Sequence, residues 1–293
     1  MSQAHHGTTA GLLGYPNYAR LLLVNGDDFG MYNAINEAVI RAFAEGIVQS
    51  TSLMIPCPGA AEAMRLLKEN PDLPFGVHLS VVRDIAHYRW GPLAPRERVP
   101  SLLAENGDLF LDDRMPELLA RAKVEELEAE FRAQVDTVLA AGLRPSHLDW
   151  HCLSAQNWLN GGRADVVELT LGLAREYGLA LRIDAQPFIN RLQRRGLPTA
   201  DHDVLDSFTL DVEAKSTRYA ALLRALPAGL SEWAVHPGLG SADAQAIDPD
   251  GWRVRQTDLE FLTSPRAREI VQEEGIVLIS YKPLQAVWQS RSP

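Results

Sequence analysis

The chain is predicted to be an α/β protein, a single (β/α) barrel of the TIM-like type with about seven strands and room for irregularity. Three observations carry this expectation. Short apolar runs alternate with amphipathic, helix-length segments about seven times, the signature of parallel strands joined by helical crossovers. The residues most able to carry chemistry follow the first, third, fourth and penultimate strand candidates. A barrel gathers those distant strand ends around one mouth, whereas an open sheet concentrates its site at a switch point. At 293 residues the length suits one such barrel, and no linker or internal repeat divides it.

Taken in order, Leu21-Leu22-Leu23-Val24 reads as a buried parallel strand that runs into a polar loop, Asn25-Gly26-Asp27-Asp28. From Asn33, the spacing of Ile35, Val39, Ala42 and Phe43 is helical, and Gly46 ends it. A second strand is expected near Val48–Ile55, a helix over Ala60–Glu69, and a third strand at Phe75-Gly76-Val77-His78-Leu79. Between Val81 and Asp113 the rhythm breaks, with Tyr88, Trp90, Pro92, Pro95 and Pro100. So long an insertion reads either as a substrate lid or as a plain excursion.

Helix resumes over about Pro116–Ala141. Ser146–Asp149 is a fourth strand, Trp150–Gly162 a loop, Ala164–Tyr177 a helix closed by Gly178, and Leu179–Ile183 a fifth strand. Gln186–Asp206 reads as irregular because of Pro187, Gly196 and Pro198. A helix over about Lys215–Leu226, a strand at Glu232–Val235, a helix over about Arg266–Glu274 and a strand at Ile276–Ser280 complete the alternation. Residues 21–293 are thus expected to form one domain, with 81–113 a lid insertion and 1–20 a loosely packed leader. His5 and His6 in that leader read better as polar tail than as metal ligands.

Composition narrows the partners. The charge of -10, from 28 Lys+Arg against 38 Asp+Glu, argues against nucleic acid as a partner. No uninterrupted apolar stretch is long enough to span a bilayer, and the N-terminus lacks the pattern of a secretory signal, so no membrane partner and a cytoplasmic location are expected. Cys57 and Cys152, far apart, read as separate thiols rather than a disulfide.

Four clusters carry the chemistry. Asp27-Asp28 places adjacent carboxylates just past a buried strand, where they must face a cation, share a proton or cap the next helix. His78 ends an apolar run, where an imidazole is either a ligand or a satisfied core group. In His147-Leu148-Asp149-Trp150-His151, alternate residues share a face of an extended segment. One histidine on a metal with a carboxylate orienting the site, or a structural cluster, are both open there. His236, before Pro237-Gly238, lies just past a strand, where a barrel would place a general acid. Arg182 and Asp184 flank another strand end and read equally as orienting groups or as a packing salt bridge. Trp90, Trp150 and Trp158 read as sugar-stacking surfaces or as core. No phosphate loop, cysteine zinc knuckle or serine nucleophile elbow is present.

These motifs carry a resemblance. Asn25-Gly26-Asp27-Asp28-Phe29-Gly30 resembles the Asn-Ala-Asp-Asp-Phe-Gly signature of the YdjC-like, or ChbG-type, carbohydrate deacetylase family. Gly76–Leu79, His147–His151 and Glu232–Gly238 are similar to its later motifs, as are Arg255 with Asp258–Leu262 and the tail Gly275–Ser280. The resemblance spans about Leu21 to Tyr281. It implies a hydrolase that removes N-acetyl groups from sugars such as chitooligosaccharides, with one divalent ion, Mg2+ or Zn2+, and a homodimer. It assigns Asp28, His78 and His151 as metal ligands, Asp27 as catalytic base and His236 as catalytic acid. Gly26 stands where the family has alanine. Cys152-Leu153-Ser154 replaces further histidines found in several members, which puts a chitooligosaccharide substrate in question. The rival expectations are another metal-dependent hydrolase, such as a phosphoesterase, and a non-catalytic carbohydrate-binding protein.

Overall fold

The protein is described by a computed structural model covering residues 8–291; His5 and His6 lie outside the described residues. Among the described residues ten strands occur in chain order: β1 (Arg20–Phe29), β2 (Ser50–Leu53), β3 (Phe75–Leu79), β4 (Val82–Arg83), β5 (Phe110–Leu111), β6 (His147–Trp150), β7 (Ala180–Leu181), β8 (Leu205–Asp206), β9 (Gly229–Val235) and β10 (Val277–Ile279). All pairings between named strands are parallel. The main sheet runs β7-β6-β3-β2-β1-β9-β8, with β10 on β1, and β4 with β5 forms a separate small ladder. β7 and β8 end that path and, among the described residues, do not pair with each other, so the sheet is an incompletely closed, irregular (β/α) barrel surrounded by helices, as the alternation predicts.

β1 is the centre of the molecule. Leu21, Leu22, Leu23 and Val24 are fully buried, as expected of a strand covered on both faces. The expected polar loop after Val24 is corrected here. β1 continues through Asn25 to Phe29, because β2 and β9 supply ladder partners there. Asp27 and Asp28 therefore sit on the strand and not beyond it.

The helices follow their local signals where those are strong. Ala60–Glu69 forms as expected, and Ala164–Tyr177 stops at Gly178, whose φ of 67° is left-handed. Three expectations need correction. The helix expected over Pro116–Ala141 is two helices, Met115–Arg121 and Val124–Ala140. Arg163 Nη1 donates to the carbonyls of Leu119 and Ala122 at the break. The expected loop Trp150–Gly162 contains the helix Ala155–Asn160, capped by Ser154. The stretch after Gln186 is helical to Arg194, because Pro187 occupies the first turn, where its missing N–H costs nothing.

The segment 81–113 is built into the core. Val81, Val82, Trp90, Val99, Leu102 and Phe110 are buried in the main apolar cluster. The helix Val124–Ala140 tethers it through carboxylates and an amide. Glu130 accepts from the backbone of Leu93 and Ala94 and Glu126 from that of Ser101, while Gln134 accepts from Ser80, just before the segment begins. In the N-terminal stretch, Thr9–Leu12 is helical and Ala10 is fully buried. Cys57 and Cys152 are free thiols.

Candidate active site

A cavity of about 650 Å³ lies at the C-terminal ends of the strands, and Asp27, Asp28, His78, His151 and His236 all line it. Neighbouring residues of a regular strand face opposite ways, so two adjacent carboxylates on one wall require an explanation. β1 supplies it. Against β2 the register pairs Gly26 with Thr51 and Phe29 with Leu53, one residue too many on β1. Asp28 absorbs the extra residue at φ 64°, a left-handed conformation that aspartate tolerates better than most side chains.

Each aspartate is held by its own arginine. Arg182 grips Asp27 bidentately, Nη1 to Oδ2 at 2.7 Å and Nη2 to Oδ1 at 2.9 Å. Asn25 Nδ2 adds a bond to Oδ1 at 2.7 Å, which leaves Oδ2 the less committed oxygen. Arg182 also bonds Glu232 at 2.7 Å and lies 3.1 Å from Asp149. Arg255 Nη1 donates to Asp28 Oδ2 at 2.8 Å, while its Nε is held by Asp248. Burial raises the carboxyl affinity for protons, but the guanidinium beside each carboxylate outweighs it. Asp27 is held below the usual carboxylate range and Asp28 well below it. Both are ionised at neutral pH.

The free oxygen of Asp28 meets two histidines. Oδ1 lies 3.4 Å from His78 Nε2 and 3.1 Å from His151 Nδ1. The other nitrogen of each ring faces a carboxylate: His78 Nδ1 is 2.8 Å from Asp149 Oδ1, and His151 Nε2 is 3.3 Å from Asp84 Oδ1. A carboxylate behind each imidazole fixes its tautomer and orientation, as around metal-binding histidines. Burial lowers the proton affinity of both rings, but Asp149, Asp28 and Asp27 reverse it at His78, bringing it to about 9, and Cys152 with Asp84 and Asp28 holds His151 well above its ordinary value. The same negative field would attract a divalent cation. The donor atoms of Asp28, His78 and His151 lie within 4.8 Å of one another, and one oxygen with two nitrogens is a donor set such an ion accepts. These residues fit a metal.

His147 belongs elsewhere. Its ring stacks on Tyr281 at 3.5 Å and is buried below the mouth, with Nδ1 facing Ser146 Oγ at 3.0 Å. Burial lowers its proton affinity, so it is a neutral core group. Its position also explains Gly76, where an added Cβ would lie 2.5 Å from the His147 ring. Asp149 stays with the site through His78, and Ser52 donates to its other oxygen at 2.5 Å.

His236 lies across the cavity. Its Nδ1 is 2.8 Å from Ser207 Oγ, and its backbone N–H donates to Asp258 Oδ2 at 2.8 Å. Asp258 is fully buried and also accepts from Lys215 Nζ and Tyr219 Oη. Of the aromatic candidates, Trp150 lines the cavity, Trp90 meets the His151 ring edge-on at 5.9 Å, and Trp158 is core.

Asp84, Glu232, Ser207, Lys215 and Asp258 were not picked out by sequence reasoning as site-holding groups. Asp84 lies in the aperiodic insertion, where no pattern marks it. Glu232 could have been found, since a carboxylate inside an apolar strand requires a buried cation. From the sequence Arg182 reads equally as an orienting group or a packing salt bridge, and Arg255 stands only in the resemblance.

The family model described as YdjC-like protein matches residues 21–273. The chain is 30% identical over 265 residues to a carbohydrate deacetylase of Geobacillus stearothermophilus, covering 90% of this chain and 97% of that protein. It is 28% identical over 275 residues to a chitooligosaccharide deacetylase of Serratia marcescens, covering 90% and 99%. A solved structure from Enterococcus faecalis V583, described in terms of cellobiose-phosphate cleavage, superposes with a TM-score of 0.76 at 29% identity, covering 91% and 99%.

Proposed function

The chain belongs to the YdjC-like family, and from that premise we propose that it is a carbohydrate deacetylase. It hydrolyses the N-acetyl group of an amino sugar or N-acetylated glycoconjugate to acetate and a free amine. The observation that carries this reading is one cavity lined by the ionised Asp27 carboxylate, a three-donor cation site and a histidine.

Asp28, His78 and His151 would hold one divalent cation, Mg2+ or Zn2+. Such an ion supplies Lewis acidity toward the acetamide carbonyl and toward the attacking water. Asp27, kept ionised by Arg182, takes the water proton on Oδ2 as oxygen attacks the carbonyl carbon. His236, protonated on Nε2, gives its proton to the departing nitrogen as the C–N bond breaks. Ser207 faces the other ring nitrogen and keeps Nε2 free for that transfer. Water is consumed, and acetate and amine leave. The segment 81–113 is proposed to help select substrate, since Asp84, Ile85 and Asp112 lie in the cavity wall.

The rival phosphoester reading needs cations free to meet a phosphoryl group. Both arginines of the wall, Arg182 and Arg255, are already bound to carboxylates. Among the described residues no helix is long and apolar enough to cross a membrane.

The test is release of acetate and free amine together from N-acetylglucosamine, its β-linked oligomers and N-acetylated glycoconjugates, by metal-loaded protein. Asp27→Asn and His236→Ala should each keep bound metal and lose turnover by roughly 10²–10⁴-fold. Asp28→Ala should lose the metal itself, as read by elemental analysis. Phosphoester cleavage that depends on Asp27, with no acetate from any sugar, would overturn the assignment.

A further inference from the structure

His151 has two ring nitrogens, and the cation site described above draws on one of them. Nδ1 lies 3.1 Å from Asp28 Oδ1. The other nitrogen, Nε2, faces two groups at once, Asp84 Oδ1 and Cys152 Sγ, each at 3.3 Å. A ring nitrogen carries one proton at most, so hydrogen bonding serves one of these partners and leaves the other short. Asp84 has no Lys or Arg as an ion-pair partner among the described residues; its one such contact is His151. Cys152 is a free thiol, exposed and in the cavity wall, so a solute that enters the mouth can reach it.

The backbone accounts for the thiol's position. β6 ends at Trp150, and just beyond it Cys152 takes φ 55°. With Asp28, it is one of two non-glycine residues at positive φ among the described residues. That conformation is unfavourable for a residue with a Cβ and persists where the surrounding structure enforces it. The left-handed turn carries the thiol round to the ring of the residue before it. Asp28 and Cys152, the two left-handed residues, thus stand at the two nitrogens of one imidazole.

The spacing suits a shared ion. Ligands about 2.0–2.3 Å from a tetrahedral ion stand about 3.3–3.6 Å from one another. Both contacts of Nε2 are at 3.3 Å, and donor atoms of Asp84, His151 and Cys152 all lie within 4.8 Å of one another. We propose that Asp84, His151 and Cys152 form a second cation site, which takes a thiophilic divalent ion such as Zn2+ and shares the His151 ring, as a bridge, with the site of Asp28 and His78. One oxygen, one nitrogen and one sulfur leave a fourth position open to the cavity, as zinc accepts. Mg2+, which takes oxygen ligands in an octahedron, is refused. Binding releases the thiol proton and the remaining imidazole proton to solvent, so both donors meet the ion as anions. The site goes beyond the deacetylase reading and needs no assumption about the substrate.

Protein loaded with one equivalent of Zn2+ is titrated with Cd2+, whose bond to a thiolate gives a charge-transfer band in the ultraviolet. Total metal should rise from one to two ions per chain by elemental analysis, and the band should grow with the second ion. Mg2+ should produce neither change. Cys152→Ser should lose the band and stay at one ion, and retention of that ion shows the variant to be folded. Asp84→Asn should weaken the second ion roughly tenfold or more. Cys57→Ser, which removes the other thiol, should leave both readouts unchanged. The second ion should also suppress alkylation of Cys152, read by peptide mass. One ion per chain with no thiolate band overturns the second site and leaves the deacetylase standing. A band that grows only as zinc is displaced, with the total held at one, also overturns it, because the thiol then belongs to a single site. A band lost in Cys57→Ser and kept in Cys152→Ser overturns the assignment of the ligand. Two ions and the band, without acetate from any sugar, overturn the deacetylase and leave the second site standing.

Discussion

Asp27 and Asp28 share one wall because a single extra residue in β1 turns Asp28 to φ 64°. Their ionisation depends on two arginines distant in sequence, Arg182 and Arg255. Arg182 is the cation that holds both Asp27 and Glu232, and it lies beside Asp149. Arg182→Met should therefore destabilise the protein by about 3–5 kcal/mol, the usual result of stripping one partner from a buried ion cluster. Urea denaturation measures it. Adding Glu232→Gln should restore part of the loss, because burial already pushes the Glu232 carboxyl up toward its neutral form. No recovery would mean that Glu232 is not among the charges Arg182 compensates. On the other side of the cavity, Asp258 acts on His236 only through its backbone N–H. Asp258→Asn leaves the buried Lys215 ammonium without its counter-charge. It should lower kcat by up to about 10²-fold, the scale of a small misplacement of a reacting group, with KM and bound metal little changed. An equal shift in KM would instead indicate a general loosening of the site.

At the scale of elements, two glycines of the motifs, Gly26 and Gly76, behave oppositely. Gly26 lies on β1, where an added Cβ would meet Val39, Pro237 and Val48 at 3.5–3.7 Å, ordinary contact distances. Gly26→Ala should stabilise the protein by about 0.4–1 kcal/mol and so raise the denaturation midpoint, because alanine has less freedom to lose on folding. Gly76→Ala should cost about 1–3 kcal/mol, since its methyl would enter the His147 ring. Urea midpoints of the two variants check both signs, and a destabilised Gly26→Ala would mean that β1 has no room beside Pro237. Elements with an apolar period and a clear stop were legible, as Ala60–Glu69, Phe75–Leu79 and Ala164–Tyr177 illustrate. Gln186–Arg194 was not, because proline in a first turn looks the same in sequence as proline that breaks a helix.

For the whole molecule, the long insertion is pinned by charge as well as by apolar burial. Glu130, fully buried, spans to Leu93 and Ala94. Burial lifts its carboxyl above the ordinary value despite the hydrogen bonds from Gln134 and those backbone groups. A folded value above the unfolded one gives stability that is full below the unfolded value and is lost as pH rises through the folded one. Glu130→Gln should therefore be less stable in mild acid through its lost backbone bond, and that deficit should shrink as pH rises from about 4 toward neutrality. Urea midpoints across this range test it, and a deficit that widens with pH would reverse the sign. By itself the sequence determined the barrel class, the order of its units and, through motifs that resemble those of a known family, Asp27, Asp28, His78, His151 and His236 among the residues that line the mouth. Each of those follows from apolar period or from short motifs at strand ends, which are properties of neighbouring residues. Only the tertiary structure decided that β1 carries both aspartates onto one wall, that Arg182 and Arg255 keep them ionised, and that His147 is core while Asp84 stands behind His151. Those outcomes depend on a strand register and on pairs such as Asp28 with Arg255, 227 residues apart. Side chains that meet only after the barrel has formed leave no local pattern in the chain.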